Sequence, residues 1–406
     1  MIKTDTLSAL LGMLLEERWR QRSGDWMGQD TLATENRYRP LTLVNVTNVI
    51  VPQVCWTMAD EGQYRKDINQ DDESQLSEFA KGSNMPDLRI DAQKAIDAIC
   101  RDIARHIELE GTEGAVLGLS GGLDSSVLAA LAVKALGSDR VTLIYLFDQD
   151  SDRSIAANAQ LMSEHLDVPL EVKDISGEMR KRGVYKPLFI RLLRLSTVVA
   201  WISANSYRLI CGETPFKSTL RVGRGEVLQP WYKRLLFGLT MRHVDAGFTH
   251  RHKFRRTILE RVARQRNLSL IGAANMSECE VGWFVKDGID DLPYQPMTGL
   301  YKTQVRQLAD ELLLPVAVRV QLPSPDMAKG VTDEFGIGHD YKDVDIVIDG
   351  FAGGLTDGQI AAFGIPHREI DDIRDLIELS DWKRQSPHDE PPVSGKSGSA
   401  WRVGAA

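Results

Sequence analysis

Between Ala115 and Ile175 short apolar segments and amphipathic helical segments alternate, and this alternation admits few folds. AVLGL (Ala115–Leu119) reads as a strand, SSVLAALAVKAL (Ser125–Leu136) as a helix closed by Gly137, and VTLIYLF (Val141–Phe147) as a second strand. A helix over Ser154–Leu166 and a strand over Leu170–Ile175 follow. Strands joined through single helices must run parallel, with right-handed crossovers that place helices on both faces. The expected class is therefore α/β, a doubly wound parallel sheet. The pattern stops over residues 177–250 and resumes with a helix (Phe254–Arg266), a strand (Leu268–Asn275), a Gly/Asp/Pro-rich loop to Gly299 and a helix (Tyr301–Leu314). In front of the first strand, Ile90, Ala95, Ile96, Ile99, Ile103 and Ile107 repeat at helical spacing and give one apolar face.

These boundaries divide the chain into an N-terminal extension (1–87), a core domain (88–387) carrying an insertion (177–250), and a tail (388–406) with the composition of a flexible segment. The extension contains a helical start and a β-branched run, Leu41–Val54. Its first apolar stretch meets Glu16, Glu17 and Arg18 at once, which suits an amphipathic helix better than an export signal. Leu188–Ser203 is broken by Arg191 and Arg194 and falls short of the roughly 20 apolar residues that a membrane span needs. No membrane association is expected. Cys55, Cys100, Cys211 and Cys279 form no CxxC pair and have no histidine at metal-ligand spacing, so they read as reduced thiols of a cytoplasmic protein. The net charge of −8 supplies no overall field for nucleic acid.

Ser120-Gly121-Gly122-Leu123-Asp124-Ser125-Ser126 lies between the first strand and its helix. Small residues there let backbone N–H groups close on an anion, and the helix N-terminus adds about half a positive charge. The loop lacks the Lys-Ser/Thr of a Walker A sequence and the GxGxxG of a dinucleotide fingerprint. Asp124 is the odd member, because a carboxylate repels polyphosphate unless a divalent cation such as magnesium bridges the two.

The SGGLDS motif resembles the pyrophosphate loop of the N-type ATP pyrophosphatases, whose members include NAD, GMP and asparagine synthetases, with an adenine nucleotide α-hydrolase-like fold. Further segments, in the same order, resemble the NAD synthetase family: LSLIGAANMSE (Leu268–Glu278), GWFVKDGIDDLPYQPMTGLYKTQVRQLAD (Gly282–Asp310), PSPDM (Pro323–Met327) and Trp382–Pro387. The resemblance implies ATP as co-substrate, bound by Ser120, Gly121, Gly122, Leu123, Asp124, Ser125, Ser126, Lys302 and Ser324, with magnesium on Asp124 and Glu278. It implies catalytic roles for Asp124, Lys302 and Lys383, substrate contacts from Asp291, Arg255 and Lys286, and a homodimer, to whose contact the apolar helix Ile96–Ile107 is a candidate contributor. Phe147–Ser154 falls where the family reads the nucleotide.

The implied reaction is adenylation of a carboxylate with loss of pyrophosphate, then amidation by ammonia, most simply of deamido-NAD to NAD. The alternative is the same adenylation of another acceptor. Ala273 stands for the family's Thr, Trp382 for its closing His, and Lys286-Asp287-Gly288 for a longer loop. His250-Arg251-His252-Lys253-Phe254-Arg255-Arg256 replaces its Asn-x-x-x-Arg element. The first of these departures removes a hydroxyl that would contact ATP, and the set as a whole falls on substrate-side positions more than on the pyrophosphate site. The sequence shows no glutaminase arrangement, so free ammonia or a separate glutaminase or carrier partner is expected to supply nitrogen. The insertion holds thirteen Arg and Lys against four acids, a composition expected for a basic lid over the anionic substrates or for a second anionic partner.

Overall fold

The structure, a computed structural model, describes residues 86–194, 196–324, 332–385 and 387–403. The expected elements of the N-terminal extension lie outside these residues. Helix α1 (Ala92–Glu110) starts at Asp91, whose side chain accepts from the Lys94 amide, and stops at Gly111, where φ is 64°. Strand β1 (Gly114–Gly118), helix α2 (Leu123–Leu136), β2 (Val141–Phe147), α3 (Arg153–Leu166) and β3 (Leu170–Asp174) follow as expected.

The chain then builds α4 (Ser176–Lys181), α5 (Leu188–Leu193), α6 (Thr197–Cys211), α7 (Pro215–Gly223), α8 (Trp231–Leu239) and the long α9 (Met241–Arg266) before β4 (Leu268–Leu270). All strand pairs are parallel, in the order β3-β2-β1-β4. Because β4 joins on the side of β1 away from β2, the direction of winding reverses there and leaves a crevice at the carboxyl ends of β1 and β4. β4 is shorter than the sequence suggests: the chain leaves the sheet at Gly272, whose amide donates to Tyr294 O at 3.0 Å and whose Cα lies against the Gln295 side chain.

Alternation along the strands separates two cores. Leu117, Leu119, Leu143 and Tyr145 pack with α1, α2, α3 and α11 (Lys302–Glu311), while Val116, Ile144 and Leu146 pack with Met179, Leu259 and Val262 of α4 and α9. A strand buried on both faces is what a doubly wound sheet requires. The Ile96, Ile99, Ile103 and Ile107 face is fully used inside this chain, so it is not a dimer contact. Each such side chain contributes about 1.5–3 kcal/mol by leaving water.

A third core lies among α10 (Met276–Val281), α13 (Tyr341–Ala352) and α15 (His367–Ser380), with α12 (Asp333–Ile337) and α14 (Asp357–Ala361) beside it. The tail, read as flexible, is docked: Val393 is buried, Gly395 N donates to Gly299 O at 2.8 Å, and Val403 N donates to Arg89 O at 3.1 Å. Its backbone finds partners that composition could not reveal.

The insertion has a small core of its own from Tyr207, Cys211, Leu228, Phe237 and Met241. Three ties fasten it. Buried Lys217 donates to Asp372 and Asp375 at 2.5 and 2.7 Å. The Trp382 indole fills the space over Gly223, which has no room for a Cβ. Arg251, buried in α9, binds Asp148 at 2.7 Å and Asp150 at 2.8 Å, and Arg194 binds Asp150 at 2.6 Å. The loop after β2, expected to face the nucleotide, thus spends these two acids on holding the insertion. Among the described residues no helix is long and apolar enough to cross a membrane.

Candidate active site

The crevice beside β1 and β4 is a cavity of about 1160 Å³, counting its open mouth. Ser120, Gly122, Leu123, Asp124 and Ser125 form one wall. Gly121, at φ 87°, supports them from behind, packed so closely on α3 that a Cβ would lie 2.0 Å from Ile155 O. Ser126 is buried and donates to Gly122 O at 2.8 Å. Ser120 Oγ lies 2.9 Å from Ser125 Oγ and accepts from the Gly122 amide at 3.2 Å, which fixes the turn. The first N–H groups of α2, which have no partner within the helix, point at the end of this turn.

Lys302, the first residue of α11, is buried and reaches Asp124 Oδ2 at 2.5 Å and Glu278 Oε1 at 2.9 Å. Its position is set from below: Ser277 Oγ accepts the Lys302 amide at 2.8 Å and donates to buried Asp345, whose other oxygen accepts the Thr303 amide at 2.9 Å. Burial works against the ammonium, but Asp124 and Glu278 outweigh it and hold the lysine charged. Glu278 is pushed up to about 8, by burial first and then by Asp124 and Asp333, against the pull of Lys302. Asp333 is pushed up to about 6 by burial, and its Oδ1 is buried with no hydrogen-bond partner. Three acids therefore surround one ammonium at this end of the cavity, whose lining also holds Arg255.

Asn275, Asp333 and Tyr341 were not singled out from sequence. Asn275 carries a readable signal, an Asn three residues before Glu278 at a helix start, which is an N-cap pattern. Its side chain accepts from the Glu278 amide at 3.1 Å and donates to Asp124 at 2.9 Å. Tyr341, from α13, donates to Glu278 at 3.3 Å and lies under the Lys302 ammonium, 5.0 Å from the ring centre. No spacing along the chain marks it or Asp333.

The other expected site residues fall in different places. Ser324, Arg255 and Ala273 line the same cavity. Asp291 does not; it is buried, accepts the Asp287 amide at 2.7 Å and holds His388 at 2.8 Å, while its neighbour Asp290 faces the cavity. Lys286 donates to the carbonyls of Trp382 and Lys383 at 3.4 and 3.3 Å. Lys383 is buried and donates to Gly282 O at 2.7 Å and to Phe284 O, lining a second cavity and not the first.

A sequence profile of the NAD synthase family matches residues 95–184 and 243–387 and leaves 185–242, the heart of the insertion, unmatched. The NH3-dependent NAD+ synthetase of Thermotoga maritima is 33% identical over 247 residues, 61% of this chain and 83% of its own. That of Coprothermobacter proteolyticus is 31% identical over 250 residues, 61% of this chain and 81% of its own. Among solved structures, the NMN synthetase of Francisella tularensis superposes with a TM-score of 0.52 at 19% identity, over 74% of this chain and 99% of that one. The last comparison shows the shared fold.

Proposed function

The chain belongs to the NAD synthase family, and we propose that it makes NAD from deamido-NAD, ATP and ammonia. The observation that carries this reading is the convergence of Asp124, Glu278 and Lys302 at the end of the SGGLDSS turn, in a chain that is 33% identical to an NH3-dependent synthetase over 247 residues.

The β- and γ-phosphates of ATP lie against the α2 N-terminus and the Lys302 ammonium, which leaves the α-phosphorus open. The acceptor's carboxylate oxygen attacks that phosphorus, the bond to the bridging oxygen breaks, and pyrophosphate leaves. Ammonia then attacks the acyl carbon and AMP departs, with the surplus proton passing to solvent. Chain groups here position reactants and stabilise charge; none supplies a nucleophile.

Magnesium fits the residues present. The donors are hard oxygens, Asp333 Oδ1 lacks a partner, and the acids outnumber the cation. Among the described residues no three acids converge closely enough to cage an ion unaided, so Asp124 and Glu278 would hold it together with phosphate oxygens. When bound it neutralises the departing pyrophosphate. The common activity of the relatives supports the deamido-NAD reading over another acceptor.

A homodimer is part of this proposal. Among the described residues, a surface suited to it is the outer face of the insertion, where Trp201, Leu209, Trp231, Leu235 and Leu239 are all more than half exposed. A cytoplasmic location, where ATP is made and thiols such as Cys100, Cys211 and Cys279 stay free, belongs to the same proposal.

The test is a turnover assay with ATP, magnesium and deamido-NAD. Equal amounts of NAD, AMP and pyrophosphate should appear with ammonium, and none with glutamine alone. Asp124→Ala should lower the rate on the order of 10²–10³-fold and remove the thermal shift given by ATP with magnesium. Full turnover in that variant would refute the assignment of Asp124.

A further inference from the structure

Beside the ATP cavity lies a second one of the same size, about 1160 Å³, and the two share His252, Trp283 and Asp290 in their common wall. The insertion builds its far side. Aromatic rings dominate the lining: Phe189, Phe216, Phe248, Trp283, Phe284 and Phe335. Phe216 stands edge-on to Trp283 with ring centres 4.7 Å apart, so the two rings meet as a corner. Walls of this kind select a flat, largely apolar group.

The charges in the cavity are specific. Asp245 lines it from α9 with no hydrogen bond or ion pair among the described residues. Its side chain is exposed at the rim, yet the protein atoms around it lift its carboxyl above the usual range, with Lys383 pulling the other way. Lys383 does not reach it as a partner, being turned onto the carbonyls of Gly282 and Phe284 and lying 5.0 Å from the Phe284 ring centre. His252 Nε2 is buried in the shared wall without a hydrogen bond. An acid without a partner among aromatic faces suits a flat cation, which gains both the carboxylate and the negative ring faces. A ring nitrogen without a partner in the wall suits a polar group on that cation.

We propose that this cavity takes the pyridinium ring of the acceptor, with Asp245 opposite its positive charge and its carboxylate directed past His252 and Trp283 toward the ATP cavity. The proposal rests on the deamido-NAD reading, in which the reacting carboxylate sits on such a ring. It gives the insertion a task unlike that of a basic lid. Lys217 is sequestered in the joint to α15, and Arg194 in the tie to Asp150, while its Phe189 and Phe216 and the α9 residues Asp245 and Phe248 form the pocket. These would be the residues that set acceptor specificity.

Two measurements test it. In turnover assays Asp245→Asn and Phe216→Ala should raise the Michaelis constant for deamido-NAD about 10–100-fold and leave that for ATP within twofold, with Asp245→Glu recovering most of the loss. In binding assays N-methylnicotinate, whose ring is a pyridinium cation, should quench tryptophan fluorescence; Trp283→Phe and Asp245→Asn should abolish the quench, and benzoate, which has the carboxylate but no ring cation, should give none. Deamido-NAD turnover with acceptor Michaelis constants unchanged in both pocket variants would overturn the pocket and leave the reaction standing. Quenching that depends on Asp245, in a protein that makes no NAD, would uphold the pocket and overturn the reaction.

Discussion

The side-chain amide of Asn275 holds two acids of the site at once, donating to Asp124 Oδ1 at 2.9 Å while its oxygen accepts the Glu278 amide at 3.1 Å. Asn275 itself is fully buried. Asn275→Ala should therefore cost about 1 kcal/mol of stability through the lost cap. Turnover should fall further, on the order of 10–100-fold, because the two carboxylates lose their relative position. Thermal melts and pyrophosphate release check the two effects separately, and a drop in stability with no drop in rate would show that Asn275 is only a cap.

Gly121 and Gly137 bracket α2 with the same positive φ of 87° but different surroundings. A Cβ on Gly121 would meet Ile155 O at 2.0 Å, whereas one on Gly137 meets nothing within 4 Å. Gly137→Ala should cost only the backbone strain of its φ 87°, ψ 155° conformation, about 1–3 kcal/mol. Gly121→Ala must also push the phosphate turn off α3, so it should cost more and weaken ATP binding as well. Equal melting points for the two variants would mean that the turn can move freely.

The part of the site that could be read from the chain is the part made locally. Ser120–Ser126 follows from turn and cap chemistry, and Lys302 from its place at a helix start after a glycine turn. Asp333 and Tyr341 reach the same ammonium from α12 and α13, and only packing of the C-terminal helices brings them there. Asp148 and Asp150 look in sequence like a nucleotide-reading loop. The bond to Arg251, about a hundred residues away, decides their use, and nothing near them signals it. Lys383 shows the same limit: chain order puts it in the closing element, but the side of the Trp283–Phe284 segment on which it lands is a tertiary fact. The parallel sheet was legible because strand periodicity and crossover handedness are local rules.

His339 sits between Glu369, at 2.9 Å, and Asp372, at 2.8 Å, in the joint where Lys217 fastens the insertion. Burial opposes its charge, but the two acids outweigh burial and raise it to about 9. An unfolded histidine titrates near 6.5. The folded state thus binds the proton more tightly, so this contribution is complete below about pH 6.5 and is lost as pH rises through about 9, amounting to about 3 kcal/mol at most. Asp372 is held well below the usual carboxylate range: burial opposes this, but His339 and Lys217 prevail, so its contribution is lost only in acid. His339→Gln should melt well below the parent at pH 6 and close to it at pH 10. A constant gap across that range would exclude a charged His339.

The outer face of the insertion bears apolar stripes at helical spacing. On α8, Trp231, Leu235 and Leu239 repeat every four residues and are 64%, 54% and 62% exposed. On α6, Val198, Trp201 and Ile202 repeat at three- and four-residue spacing on the exposed side. Inner residues of the same helices, Tyr207 and Phe237, already serve the insertion's own core, so these stripes are surplus to folding. A second copy of the chain, in the homodimer proposed above, would remove them from water at about 25 cal/mol per Å² of apolar surface. Sedimentation at micromolar concentration should then give a dimer. Trp231→Glu combined with Leu235→Glu should give a monomer with unchanged circular dichroism, since both side chains lie mainly in solvent in the single chain. A parent protein that sediments as a monomer while making NAD would leave the stripes to another partner and would show that each copy of the chain completes its active site alone.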